Sequence, residues 1–433
     1  MEWYTVGIGL FVLLMGLVSI GVPIPFALAG AALPFLWSIQ SFHSSIISSE
    51  LQLWGVWVNY ILLAIPLFVF LGELIGRSRI GADLYHFLHS GVNVRGSAAY
   101  GSIGACAGFG AVSGSSMVGS LTIGGVALSE MLRLQYDRRL ASGILAAGGT
   151  LSVLLPPSLI MIYYGIVTDQ SIGNLFIAGI VPGIILTSLF VVIVFVWSRV
   201  KREHVPSADG AEKLPKKRIV ITLTTIGLIG FIVIASIYTG MATPTEAAAV
   251  AAVVTCVLTA CFGGLTFVGF VEALKRTMLT MGYLGLLLSA GTLFGFVVTY
   301  YRIPDELTAM ITAMELSPYV ILAVVIVVYI ILGMFLEPVS MTFITLPTIF
   351  PLIHAAGFDL IWFGVVYTVI MEIAVLTPPV GLNLYVIQGL AKDDVTVWDV
   401  VMGSLPFIAA LVLLVIGLLV IPDIALWLPE VMK

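Results

Sequence analysis

Charge is what this sequence most lacks. Only 9% of its 433 residues are Asp, Glu, Lys or Arg, where a soluble globular domain carries about 25%. With 60% hydrophobic residues and a mean hydropathy of +1.15, a water-soluble globule is excluded and a polytopic membrane protein is indicated. The net charge is −5 and the few basic residues sit in short clusters, so no nucleic-acid partner is expected. The three cysteines, Cys106, Cys256 and Cys261, fall in apolar segments without metal or disulfide spacing. They read as small buried packing residues. The five histidines are dispersed; there is no His-Glu-x-x-His, no phosphate loop, and no Gly-x-Ser-x-Gly elbow at Ser113, Ser115 or Ser116. No enzyme chemistry is therefore expected. Met1-Glu2-Trp3 opens without a basic region, so a cleaved signal peptide is not expected either.

What is present is a double proline, Leu154-Leu155-Pro156-Pro157-Ser158, inside an apolar segment. Proline donates no N–H and its ring clashes with the preceding turn, so the pair should break a spanning helix and free the carbonyls of Ser152 and Val153. In hydrocarbon such groups are tolerated only where they line a cavity or meet a ligand. The device recurs 222 residues later as Leu376-Thr377-Pro378-Pro379-Val380 (378 − 156).

Apolar runs of about 20 residues without barrel-type alternation predict helices. Spans are expected at Val6 to Ile20, Pro23 to Trp37 and Trp54 to Gly76, with Ser38 to Gln52 along the interface. Basic residues flank Ser97 to Met131 on both sides, which places both ends in the cytoplasm and predicts a re-entrant hairpin, 97–131, with its tip at Gly108 to Ser116. A broken helix, 140–167, then crosses, and Leu175 to Trp197 returns. The charged segment 201–218 reads as a cytoplasmic linker between two repeats, 1–200 and 219–433; 199–218 holds seven of the eighteen Lys and Arg residues. Beyond it, spans are expected at Ile219 to Tyr238 and Glu246 to Phe262, with Thr243-Pro244-Thr245-Glu246 as a capping box. An interfacial piece, Gly263 to Arg276, precedes a span from Thr277 to Tyr301. A second hairpin, 318–358, a second broken helix, 362–388, and a span from Met402 to Ile421 complete the chain.

Further pairs share the register: Asp137 with Asp359 and Gly72 with Gly295. The ordered set indicates a duplication. Halves of opposite orientation with broken helices are the sequence pointer to a secondary transporter whose sites lie at the breaks. Each hairpin tip is expected to face the break of its own half. Hard oxygen ligands there suit Na⁺: Gly110, Ser113, Ser152, Leu155 and Pro156 in the first half, and Gly333, Ala374, Thr377 and Val380 in the second. An anionic substrate would meet donors just past the breaks: Ser115, Ser116, Ser158, Ser340, Thr342 and Asn383. Glu337 and Glu372 are intramembrane acids expected to bind a cation or proton, or to be paired structurally.

Gly110 to Ser116, Leu154 to Ser158, Pro244 to Ala247 and Leu376 to Asn383 together resemble the large membrane subunit of tripartite ATP-independent periplasmic (TRAP) transporters. The resemblance covers essentially the whole chain. It implies an all-α, inverted-repeat, elevator-type transporter of an organic anion, sialic acid or C4-dicarboxylate, in the bacterial inner membrane, driven by two or more Na⁺. It also implies two partners, a periplasmic substrate-binding protein and a small membrane subunit, expected as a separate chain because no extra four-helix block precedes Val6. The family's sodium sites fall on the tip and break residues above; Val380 departs from the methionine associated with that position. The alternatives are a self-sufficient Na⁺/dicarboxylate symporter, whose Ser-Asn-Thr hairpin tips are missing here, and an ion channel or non-transporting membrane subunit.

Overall fold

A computed structural model describes residues 2–39, 42–92, 94–206, 214–391 and 394–432; residues 207–213 of the linker lie outside it. The described residues form helices and no strand. The first half contains α1 (Trp3–Ser19), α2 (Ile24–Ile39), α3 (Phe42–Trp57), a 3-10 turn (Tyr60–Leu63), α4 (Ala64–Gly76) and α5 (Ile80–Gly91). It continues with α6 (Ser97–Ser113), α7 (Ser116–Arg133), α8 (Arg138–Leu154), α9 (Leu159–Thr168) and α10 (Ile172–Val200). The second half contains α11 (Lys216–Tyr238), α12 (Pro244–Cys261), α13 (Phe267–Tyr300), α14 (Ile303–Ala313), α15 (Pro318–Gly333) and α16 (Pro338–Ala355). It ends with α17 (Leu360–Ala374), α18 (Leu382–Ala391), α19 (Val397–Val420) and α20 (Asp423–Val431). By length and composition, six helices can cross a membrane, or up to eight if each bent pair is one span.

The element order repeats. The pairs α6/α7 and α15/α16 are hairpins, α8/α9 and α17/α18 are broken helices, and α10 and α19 are the long helices that follow. Both broken helices begin on an aspartate N-cap. Asp137 Oδ1 accepts from the Arg139 and Leu140 N–H groups at 3.0 and 3.2 Å, and Asp359 Oδ1 from Trp362 N–H at 2.8 Å. The capping box starts α12 as expected: Glu246 accepts from Thr243 N–H at 2.8 Å and returns its own N–H to Thr243 Oγ1 at 3.3 Å.

Three expected elements differ. The segment 54–76 is not one straight helix, because Ser49–Gly55 and Tyr60–Gly76 meet at 57°. Asn59 caps the turn there by accepting from Ile61 N–H. Conversely, the separate interfacial and spanning pieces expected over 263–301 are one 34-residue helix, α13, with no proline or helix-ending glycine to interrupt it. The first hairpin's tip is shorter than the 108–116 stretch. Helix α6 persists through Gly108 and Gly110 to Ser113, leaving only Gly114 (φ 64°) and Ser115 between the hairpin helices.

Glycines set the close approaches at the centre. A Cβ on Gly143 would overlap the Gly403 carbonyl carbon, which fixes the crossing of α8 with α19. Van der Waals packing of such small residues holds membrane helices together where the hydrophobic effect cannot.

Candidate ion and substrate site

Both breaks have the same construction. In the first, α8 ends at Leu154, Leu155 is extended, Pro156-Pro157 follows, and Ser158 caps α9 by accepting from Met161 N–H at 3.3 Å. In the second, α17 ends at Ala374 and α18 starts at Leu382, with Gly381 at φ 52° supplying a turn that other residues rarely adopt. Both Pro-Pro bonds are cis.

Each hairpin tip meets the break of its own half through a backbone hydrogen bond. Leu159 N–H donates to Gly114 carbonyl at 3.1 Å, and Val380 N–H to Met334 carbonyl at 3.2 Å. The side-chain-free contact is as close. A Cβ on Gly110 would overlap Ser152 Cα, one on Gly114 would lie 2.5 Å from the Pro157 carbonyl oxygen, and one on Gly333 would overlap Ala374 Cβ. The structure thus brings Gly110, Ser152 and the Pro156-Pro157 break together in one half, and Gly333, Ala374 and Val380 in the other.

The donor groups differ between the halves. The Ser113 hydroxyl, one turn past Gly110, is buried with no hydrogen-bond partner among the described residues. Pro156 and Pro157 leave the Ser152 and Val153 carbonyls without a backbone donor there. Unpaired buried oxygens of this kind are what a hard cation requires. In the second half, the Ala374 carbonyl, four residues before Pro378 and so without its usual helical donor, accepts instead from Thr377 N–H at 3.0 Å. A tighter final turn absorbs it. The Thr377 hydroxyl donates to Ile373 carbonyl at 2.6 Å. The first break is almost wholly buried, whereas Pro378, Pro379 and Val380 are exposed.

Most of the expected substrate donors are committed locally. Ser115 and Ser158 cap their helices. Ser340 donates to Glu337 Oε1 at 2.7 Å, and Glu337 itself is the N-cap of α16, with Tyr283 OH at 3.5 Å. Thr342 donates to Pro338 carbonyl at 2.7 Å and meets Tyr367 OH at 2.6 Å. Ser116 and Asn383 instead reach across to the opposite half: Asn383 Nδ2 donates to Ala146 carbonyl at 3.4 Å, and Ser116 is the hydroxyl set beside the Glu372 carboxyl. Glu372 is fully buried, and neither of its oxygens has a partner within hydrogen-bond distance among the described residues.

The crosswise packing leaves no mark in the residue pattern. The first break helix, α9, lies against the second half: Tyr163 meets Phe343 edge-on at 5.9 Å, and Tyr164 packs on Tyr367 at 5.7 Å and donates to Leu360 carbonyl at 2.7 Å. Reciprocally, α18 lies on the first hairpin, where a Cβ on Gly124 would be 2.8 Å from Ile387 Cδ1.

Twin hairpins, twin broken helices and their crosswise packing define a polytopic helical membrane protein with an internally duplicated core. The sequence matches the family described as tripartite ATP-independent periplasmic transporter, DctM component, over residues 11–424, and the chain belongs to that family. It is 34% identical over 416 residues to the C4-dicarboxylate TRAP transporter large permease protein DctM of Pseudomonas aeruginosa, covering 93% of each chain. It is 31% identical to the sialic acid TRAP transporter large permease protein SiaM of Vibrio cholerae, covering 96% of each. An ectoine/5-hydroxyectoine large permease protein of Ruegeria pomeroyi, UehC, is 29% identical over 97% of this chain and 98% of that protein. Among solved structures, the Alcanivorax borkumensis YdaH transporter has a TM-score of 0.64 at 15% identity, covering 89% of each chain, a likeness of fold alone.

Proposed function

We propose that this chain is the large membrane subunit of a TRAP system that carries a small organic anion, of the sialic acid or C4-dicarboxylate type, across the bacterial inner membrane by Na⁺ symport. A small membrane subunit and a periplasmic substrate-binding protein complete the system. Two halves, 1–200 and 219–433, joined by a cytoplasmic linker, lie in opposite orientations. The hairpins and broken helices move as an elevator against the remaining helices.

The observation that carries the reading is the hydrogen bond between tip and break in each half, because it sets backbone oxygens beside helix termini at matching places in the two halves. Na⁺ is cargo here, held by Gly110, Ser113, Ser152, Leu155 and Pro156 in the first half and by Gly333, Ala374, Thr377 and Val380 in the second. The unpartnered Ser113 hydroxyl and Glu372 carboxyl fit a cation-binding core. Ser116 and Asn383, which bridge the halves, are the best placed substrate donors.

The test is reconstitution of the chain with and without its two partner proteins, and uptake of a substrate bound by the cognate binding protein against an imposed Na⁺ gradient. Uptake should require all components and inward Na⁺. Partner-free uptake overturns the tripartite reading, and Na⁺-independent leak overturns coupling.

A further inference from the structure

At the base of the first hairpin, well away from the tips, two histidines point at one carboxylate. His86 and His89 lie one turn apart on α5 and Glu130 lies on α7. His89 Nδ1 is 3.4 Å from Glu130 Oε1, and His86 Nδ1 is 3.7 Å from Oε2. The three side chains are 2%, 17% and 11% exposed, and neither Nδ1 has a hydrogen-bond partner among the described residues. Each carboxylate oxygen faces a different ring, and no group of three such side chains there converges to hold a metal ion. What the arrangement can take up is a proton. A protonated imidazole donates from Nδ1, and both unpaired nitrogens already face an acceptor.

The surroundings leave this carboxylate as the partner. Along α5, Asp83 is taken by Arg218 of α11, and the Tyr85 ring meets His86 edge-on at 5.3 Å and His89 at a tilt at 5.7 Å. Helix α6 carries no charged residue. On α7, Arg133 stands 4.0 Å from Glu130, and Tyr136 follows beyond it. On α4, Glu73 and Arg77 pair with each other. On α11, Lys216 and Lys217 are exposed. His89 beside it holds the Glu130 carboxyl below the usual carboxylate range.

We infer that His86, His89 and Glu130 form a proton-binding site that fastens the first hairpin to α5 when protonated. Because α5 is tied to α11 by Asp83 and Arg218 on one side and meets the hairpin on the other, the site sets how freely the hairpin leaves its neighbours. The fastening belongs to the protonated form and is lost when the imidazoles give up their protons. Its effect on transport rests on the proposed function; the site does not.

The test is hydrogen–deuterium exchange of the full chain in nanodiscs at pH 8 and pH 6, corrected for the intrinsic pH dependence of exchange. Peptides from α5 and α7 should gain roughly fivefold protection at pH 6, the factor about 1 kcal/mol gives. The gain should vanish in His86→Gln/His89→Gln. An equal gain in that variant, or none in the wild type, overturns the site. Should the double variant fail to fold, Glu130→Gln must abolish the gain, and a retained gain overturns the site equally. Uptake by the reconstituted three-component system should slow when the compartment facing Glu130 is acidified, in wild type only. Absence of all uptake overturns the transport reading and leaves the exchange result to decide the site.

Discussion

The Ser113 hydroxyl is buried and unpartnered, whereas the Thr377 hydroxyl already donates to its own helix. Removing the first deletes only a potential ligand. Ser113→Ala should raise the Na⁺ concentration for half-maximal uptake roughly tenfold, the equivalent of about 1.4 kcal/mol, with unchanged expression. Thr377→Ala should shift it less, and the comparison is made by Na⁺ titration of uptake. Gly110→Ala places a methyl group on the Ser152 backbone, an overpacking that should cost about 1–3 kcal/mol and lower the unfolding temperature in detergent. Glu372→Gln keeps the shape and removes the acidic oxygen; uptake should lose Na⁺ affinity while thermal stability changes little, since the buried group stays polar and of the same size. At this scale the sequence named the neighbourhood and not the occupancy. Glycines and prolines disclose where backbones approach, but that Thr342, besides bonding Pro338 one turn back, meets Tyr367 depends on a partner 25 residues away that no local pattern reveals.

Among the elements, hairpins and broken helices were legible because their interruptions are chemical: prolines that cannot donate, glycines that permit φ > 0, and aspartates that cap. Helices α5, α14 and α20 are only 12, 11 and 9 residues long, too short for hydropathy to isolate, and α3 was expected only as an interfacial segment. Yet α5 is the link between the first hairpin and α11. Its Asp83 side chain is 7% exposed and paired to Arg218 across 135 residues of sequence. Arg218→Ala strands that carboxylate and should cost about 2–3 kcal/mol by thermal unfolding, while Asp83→Asn in the same background should recover most of the loss. Asp137→Ala and Asp359→Ala each remove a cap from a broken helix and should each cost about 1 kcal/mol.

For the whole molecule, the duplication could be read from register, but how the halves meet could not. Residue spacing says nothing about which surface α9 and α18 lie against. Each lies chiefly against the other half, α9 on α16 and α17 and α18 on α7 and α8, while α10 and α19 of their own halves cover the rest. The hairpins and broken helices accordingly form one block, and mutations that loosen the Tyr164–Tyr367 contact should lower Na⁺ affinity at both sites together, as read by titration of Tyr164→Ala. Contacts in which part A of one copy meets part B of the other, and part B of the first meets part A of the second, are the signature of an isologous two-fold pair. The seam between α9 and α16, matched by that between α18 and α7, therefore gives a single chain the self-complementary kind of interface that a symmetric dimer forms between two.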